Sequence, residues 1–382
     1  MKIAFDGKRA IQNFTGLGNY SRLLISLLCQ KAPQNEYVLY APKRSNRPLI
    51  QQFLKDSPLL RCYYATGLAT CAKSLWRSWF VSRDLNAKKI DIYHGLSGEL
   101  PLNISKYPGI KTVVTIHDLI FERFPQYYHT LDRLIYSYKF RKACLTADKI
   151  IAISECTKKD IVGLYHIAPE KIDVVYQGCS PVFSVPATEE LKAEVKALYQ
   201  LDDRFILNVG TIEERKNINL VVKALKDVPD IQFVIIGRST NYVRQLYQTI
   251  QELGLGNRVK ILQNVPFKHL PAIYQMSTLF VYPSRYEGFG IPVLEALCSG
   301  VPVIACTGSC LEEAGGPDSI YVLPYDVESM AEAINNVLSD KALRDNMIAK
   351  GKEWATKFSD SNQVEGVLKV YHSIFNENIT FV

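Results

Sequence analysis

Residues 284–305 read SRYEGFGIPVLEALCSGVPVIA, and two carboxylates, Glu287 and Glu295, flank a Gly-Phe-Gly within them. Pro292 fits the first turn of a helix, where its missing N–H would be unpaired anyway. That reading puts Glu295 in the first helical turn and Glu287 in the loop ahead of it. An acid complementing the helix macrodipole accounts for Glu295 alone. It leaves Glu287 and the glycines Gly288 and Gly290 without a task, and glycines let backbone N–H groups face a ligand closely.

Three other stretches carry chemistry. In NVGTIEERKNINLVVKAL, Arg215 and Lys216 precede a helix, where two cations oppose the macrodipole unless an anion neutralises them. A diphosphate suits that place; the plainer alternative is a pair of solvated charges matched by Glu213 and Glu214. In VVTIHDLIFERFP, His117 and Asp118 end an apolar strand, either projecting toward a ligand or hydrogen-bonded within the protein. In NFTGLGNYSRLL, Gly16 and Gly18 follow the first strand, with Ser21 in the third glycine's place of a dinucleotide fingerprint. Lys43 and Arg44, not an acid, follow the second strand. The glycine loop is open to three readings: an NADP site, a tight structural turn, or the lining of a ligand cleft.

These residues need strand ends to project from. KIAFD, YVLYAP, IDIYHGL, KTVVTIHD, KIIAIS and IDVVYQG are short apolar runs separated by helix-length segments such as YSRLLISLLCQ. This is the pattern of a parallel sheet covered on both faces. After SPVFSVPATEE the alternation restarts with FILNVG, IQFVIIG, VKILQNV, LFVYPS, VPVIAC and SIYVLP. The chain therefore reads as α/β, two Rossmann-like, doubly wound parallel-sheet domains facing one another, with a linker around residues 180–190. Ligands of such sheets sit beyond the carboxyl ends of the strands, so the chemistry is expected in the shared cleft.

A length of 382 residues allows two cores of ordinary size. Hydrophobic residues at 47% and charged residues at 22% exclude a disordered chain. The N-terminus MKIAFDGKRA has no apolar core of signal-peptide length and no long uncharged apolar run occurs, so a cytoplasmic protein is expected. The nine cysteines are scattered without a CxxC pair and read as free thiols. Residues 1–183 hold 26 Lys and Arg against 14 Asp and Glu, whereas the remainder holds 19 against 24. The basic half should meet something anionic. CAKSLWRSWFVSRDLNAKK interleaves Lys73, Arg77, Arg83, Lys88 and Lys89 with Trp76, Trp79 and Phe80, and YYHTLDRLIYSYKFRKACL is a similar mixture. Either could lie at the inner face of a membrane.

On TGLGNY, the HD after a strand, GTIEERKN, YPSRYEGFGIPVLEALCSGVPVI and GSCLEEAGG, the chain resembles the retaining glycosyltransferases of family 4, group 1, over nearly its whole length. The resemblance implies the GT-B fold. It implies an acceptor-binding domain over 1–183, a nucleotide-sugar-binding domain over 184–361, and a C-terminal helix, about 362–382, packed back on the first. It assigns the ribose hydroxyls to Glu295 and the hydroxyls of the transferred sugar to Glu287 and the backbone amides of Phe289 and Gly290, with Gly288 and Ile291 also binding the donor. Arg215 and Lys216 would neutralise the diphosphate, His117 would reach the donor sugar, Val265 would touch the base, and Gly16 and Gly18 would line the cleft. Gln263, where the family usually has glycine, and Leu311-Glu312, where it has Pro-Glu, depart from the pattern.

The activity implied is retaining transfer of a hexose without a metal or other cofactor, which fits the absence of an Asp-x-Asp pair. Its likeness to mannosyltransferases suggests mannose from GDP-mannose, placed on a glycan or lipid-linked glycan of a cell-surface polysaccharide. UDP-sugars, a sugar-nucleotide epimerase of the same fold and an NADP-linked oxidoreductase are the alternatives, with a non-enzymatic two-lobed binding protein further off. No nucleic-acid partner is expected, and the oligomeric state is open.

Overall fold

Every strand pairing in the computed structural model is parallel, as continuous apolar runs require when helices cover both faces. The structure describes residues 1–67 and 72–375. It divides into two units, Met1–Gln177 with the returning helix Asp360–Ser373, and Gly178–Ser359.

The first unit holds β1 (Lys2–Asp6), β2 (Glu36–Ala41), β3 (Leu60–Tyr64), β4 (Ile92–Gly95), β5 (Lys111–Ile116), β6 (Lys149–Ala152) and β7 (Ile172–Val174), in the order β3-β2-β1-β4-β5-β6-β7. The chain leaves β1 toward one edge and restarts at β4 on its other side, so β1 and β4 flank the topological switch point. β3 is the strand that the apolar pattern does not announce. It is an edge strand whose residues are nowhere fully buried, and LRCYY lacks a continuous apolar run for that reason. The helix Asp360–Ser373 lays Val364, Val367, Val370 and Tyr371 into the core formed by Ile3, Phe5 and Leu24. There the Tyr371 hydroxyl meets His94 Nδ1 at 2.7 Å.

The second unit holds β8 (Phe205–Val209), β9 (Gln232–Ile236), β10 (Val259–Leu262), β11 (Leu279–Tyr282), β12 (Val303–Cys306) and β13 (Ile320–Val322), in the order β10-β9-β8-β11-β12-β13. Here β8 and β11 flank the switch point. All six apolar runs of the sequence appear as these strands. The change of unit at Gln177/Gly178 comes ahead of the expected 183/184. Cys179 N–H donates to Phe358 O, and Phe183 packs edge-on against Tyr274, so both belong to the second core.

The segment from Lys73 departs from the expected surface stripe. It winds as helix from Lys73 to Ala87, with a wider π turn over Trp76–Phe80. Trp76 enters the core beside Tyr40, while Trp79 and Phe80 remain exposed. Arg77 is buried and donates to Asp6 (2.6 Å) and Glu99 (2.8 Å), because a guanidinium so far from water needs carboxylate partners. Neither Trp76 nor Arg77 is available to a membrane. Eight described cysteines are free thiols; Cys71 lies outside the described residues.

Candidate active site

In the second unit, Glu213, Arg215 and Lys216 follow the end of β8 and Glu287 follows the end of β11. The loop after β8 closes in a tight turn, Glu214–Lys216, with Asn217 left-handed behind it (φ 56°) and the helix Ile218–Ala224 following. Arg285 N–H donates to Arg215 O at 2.9 Å and so ties this turn to the loop after β11.

Arg215, Lys216 and Glu287 meet there. Lys216 Nζ lies 2.6 Å from Glu287 Oε1 and Arg215 Nη1 lies 2.9 Å from Glu287 Oε2. Arg215 also pairs with Glu213 at 2.6 Å and donates to the Tyr286 carbonyl, and Lys216 donates to the Tyr282 hydroxyl at 2.6 Å. Burial on its own would raise the Glu287 carboxyl; Lys216 and Arg215 outweigh it and hold the group at about 2. Burial would likewise lower both cations, and Glu287 raises them instead. The four side chains sum to no net charge, so the cations are partnered within the protein, by Glu287 more than by the neighbouring Glu213.

The Gly-Phe-Gly is fixed from behind. The Cys310 thiol approaches Phe289 O at 2.6 Å and Glu287 O at 3.1 Å, and Phe289 is buried against Phe358. Gly290 stands at φ 134°, and a Cβ there would lie 3.0 Å from Leu311 and 3.2 Å from Ala314. Only glycine takes that conformation without strain. Leu311, one of the departures from the family pattern, is therefore the floor under the glycine. Its neighbour Glu312 accepts from Gly308 N–H at 3.0 Å and from Thr307. Glu312 Oε2 and Ser309 Oγ are buried with no hydrogen-bond partner among the described residues, at a site where a polar ligand would satisfy them.

Glu295 lies elsewhere than expected along its helix. The helix runs Ile291–Cys298 with Gly290 as its N-cap and Pro292 in its first turn, which carries no acid. Glu295 is thus in the second turn, beyond the reach of the first N–H groups, and the dipole reading is removed. Burial raises its carboxyl to about 7, although the Tyr274 hydroxyl donates to it at 2.9 Å. Val265 is half-buried beyond β10, after the left-handed Asn264 (φ 57°); Gln263 is exposed.

In the first unit, His117 follows β5 and is buried. Its Nε2 bonds Leu96 O (2.9 Å), and its Nδ1 bonds Gln177 Nε2 (3.2 Å), which fixes Nε2–H as the donor and Nδ1 as the acceptor. The Tyr20 ring stands edge-on to it at 4.6 Å. Burial lowers its pKa to about 4, so it is neutral near pH 7. Both nitrogens already have protein partners. His117, Asp118 and Leu17 line one cavity. Gly16 and Gly18 open the helix Gly16–Lys31, and the two differ. The Gly18 N–H is held by Asn13 Oδ1 and Thr15 O, both at 3.0 Å, and a Cβ on Gly18 would lie 1.9 Å from Asn13 O. A Cβ on Gly16 would meet nothing within 4 Å. Gly18 makes a tight turn whose amide is occupied; Gly16 faces open space.

Tyr282, Tyr274 and Cys310 belong to this architecture and were not singled out in the sequence. Tyr282 could have been, as the last residue of a strand beside a switch point. The family model for Glycosyl transferases group 1 matches residues 190–354, and that for Glycosyltransferase Family 4 matches residues 16–182. The chain belongs to the family 4, group 1 glycosyltransferases. It is 28% identical over 394 residues to the O-antigen chain mannosyltransferase B of Escherichia coli, covering 97% of this chain and 99% of that one. The sucrose-phosphate synthase of Thermosynechococcus elongatus superposes with a TM-score of 0.79 at 22% identity, over 98% and 99% of the two chains. Anabaena Alr3699/HepE in complex with UDP-glucose does so with 0.77 at 17%, over 98% and 100%. The two-sheet architecture is the GT-B fold.

Proposed function

We propose that this glycosyltransferase moves a hexose, mannose from GDP-mannose, to a glycan or lipid-linked glycan, retaining the anomeric configuration and without a metal ion. The observation that carries this reading is the buried array Arg215–Lys216–Glu287. Breaking the bond between the sugar and a nucleoside diphosphate builds negative charge on the β-phosphate. Cations already fixed in place stabilise that charge most in the transition state. The acceptor hydroxyl adds to the anomeric carbon on the face the phosphate leaves, and its proton passes to the departing phosphate oxygen. Glu287 holds the cations and, with a carboxylate's capacity of about four hydrogen bonds, keeps room for a sugar hydroxyl. The amides of Gly288, Phe289, Gly290 and Ile291 line the same sugar, Val265 the base, and Glu295 the ribose. His117, neutral, contributes hydrogen bonding and no proton at pH 7; to touch the donor it must release Leu96 or Gln177.

Mannose is favoured by the name of the Escherichia coli relative; a UDP-sugar is the second reading, supported by the structural neighbour bound to UDP-glucose. Thermal-shift measurements against GDP-mannose, UDP-glucose and UDP-galactose separate the two, since a ligand at about 100 times its dissociation constant adds roughly 2.7 kcal/mol of stability. No response to any of the three removes the donor-site assignment. NMR of the product's anomeric proton tests retention, and turnover in excess chelator tests metal independence.

A membrane contact is proposed on the helix Thr130–Thr146. Leu131, Leu134, Ile135, Tyr138 and Leu145 repeat at helical spacing and are exposed, with Arg141 and Lys142 exposed beside them. A lipid-linked acceptor would be met at such a surface. Among the described residues no helix is long and apolar enough to cross a membrane.

A further inference from the structure

Two thiols of the second unit meet close to where the chain enters it. Cys298 is the last residue of the helix Ile291–Cys298, and Cys179 follows the change of unit at Gln177/Gly178. The Cys298 sulfur takes hydrogen bonds from the Cys179 thiol and the Ser184 hydroxyl. Backbone and side-chain contacts hold both segments in place. Ser299 Oγ donates to Phe183 O at 3.3 Å, which ties the end of the helix to the turn Pro181–Phe183. Cys179 N–H donates to Phe358 O at 3.2 Å, and Phe183 stands edge-on to Tyr274 at 5.4 Å. The two sulfurs differ in exposure: Cys298 is half-buried, whereas Cys179 is 8% exposed. The helix macrodipole opposes a thiolate at this end of a helix. The Cys179 hydrogen bond, working against burial and joined by Ser184, nonetheless holds the Cys298 thiol below its ordinary range. Burial instead pushes Cys29, Cys144 and Cys306 up to about 12 and raises Cys62 as well.

We propose that Cys298 and Cys179 form a peroxide-reactive dithiol, with Cys298 as the attacking sulfur and Cys179 as the resolving one. A partly exposed sulfur held as a thiolate beside a second, buried thiol is the arrangement this chemistry needs. The Cys298 thiolate attacks one oxygen of hydrogen peroxide or an alkyl hydroperoxide. The O–O bond breaks, Cys298 becomes a sulfenic acid, and the leaving oxygen departs as water or alcohol with the proton that Cys298 had released. Cys179 then attacks the sulfenic sulfur: the S–S bond forms, the S–O bond breaks, and the hydroxyl leaves as water with the Cys179 proton. The two thiols lose two electrons and the peroxide gains them. A small dithiol resets the pair by exchange and is itself oxidised. The site bears on the donor through Glu295, three residues before Cys298 and so one turn away on the same helix. A negative sulfur at Cys298 opposes ionisation of the Glu295 carboxyl. The disulfide removes that charge, so the oxidised protein holds a nucleotide-sugar about threefold more tightly near pH 7, the order expected of one unit charge a helical turn away in water-like surroundings. This coupling rests on the ribose assignment of Glu295; the dithiol does not.

Mass-spectrometric peptide mapping of the full chain, unreduced and with the remaining thiols alkylated, tests the dithiol. Hydrogen peroxide should give a peptide linked through Cys179 and Cys298 as the main product, and dithiothreitol should remove it. In Cys179→Ser the reaction should stop at the sulfenic acid, so dimedone should label Cys298 in that variant and leave wild type nearly unlabelled. A thermal melt verifies that the variant is folded. The proposal falls if peroxide yields no such linked peptide, if another cysteine is oxidised first, or if dimedone labels Cys298 equally in both proteins. Calorimetric titration with GDP-mannose and UDP-glucose tests the coupling. Oxidised wild type should bind one of them about threefold more tightly than reduced wild type, and peroxide should leave the affinity of Cys298→Ala unchanged. Equal affinities of the two wild-type forms overturn the link to Glu295. Binding of neither nucleotide-sugar by either form fails the donor assignment instead, and the linked peptide still decides the dithiol.

Discussion

Lys216 Nζ and Glu287 Oε1 lie 2.6 Å apart in the protein interior although 71 residues separate them in the chain. Breaking such a pair from one side strands a buried charge, at a cost of about 3–5 kcal/mol. Glu287→Gln, which strands Lys216, should lose that much in urea unfolding; Lys216→Met leaves Glu287 paired with Arg215 and should lose less, and the double variant Lys216→Met/Glu287→Met should lose less than the two combined. Each single variant should also lower turnover by at least about 100-fold. Because the folded Glu287 carboxyl stands at about 2, below its ordinary 4.5, its contribution to stability is complete above pH 4.5. It is lost as the pH falls from there toward 2.

Glu295 titrates in the opposite sense. Its folded pKa of about 7 is above the ordinary 4.5, so the native state holds a proton that the unfolded chain has released, and stability declines as pH rises from 4.5 to 7. A ribose is held best by the ionised form. Calorimetric titration with GDP-mannose should therefore show affinity rising about tenfold from pH 6 to pH 8, with Glu295→Gln flattening the profile. A wild-type profile that is already flat would remove Glu295 from the nucleotide contact.

The two glycines of TGLGNY should part company. Gly18→Ala drives a methyl into the Asn13 carbonyl and should cost about 1–3 kcal/mol. Gly16→Ala meets open space in a first helical turn and should be neutral or stabilising by up to about 1 kcal/mol. Thermal melts distinguish these outcomes. A Gly16→Ala protein of full stability and reduced turnover would mark Gly16 as a ligand contact.

Sedimentation with vesicles checks the exposed face of Thr130–Thr146. Wild type should bind vesicles containing phosphatidylglycerol and bind purely zwitterionic ones far less, with binding weakened by salt. Leu134→Asp and Ile135→Asp, both exposed, should abolish binding while leaving the melting temperature unchanged. Equal binding by the double variant would place any membrane contact elsewhere.

Short apolar runs were enough to locate twelve of the thirteen strands among the described residues, because a strand buried on both faces must be apolar along its length. β3 escaped because one edge of the sheet is half in water. The same periodicity placed Arg215, Lys216, His117 and Glu287 just beyond strand ends. That is where the structure places them.

What the linear sequence could not carry was partnership and helical phase. Pro292 marks a first helical turn, yet the helix starts one residue earlier, at Ile291, and Glu295 falls in the second turn. Arg77 looked like one of several surface cations until the strand order brought Asp6 and Glu99 around it. By itself the sequence determined two parallel α/β sheets and the residue types at their carboxyl ends, since burial and backbone geometry act locally. The tertiary structure alone decided that Lys216 answers Glu287, Tyr274 answers Glu295 and Cys310 clamps the Gly-Phe-Gly, because strand order sets which loop ends meet.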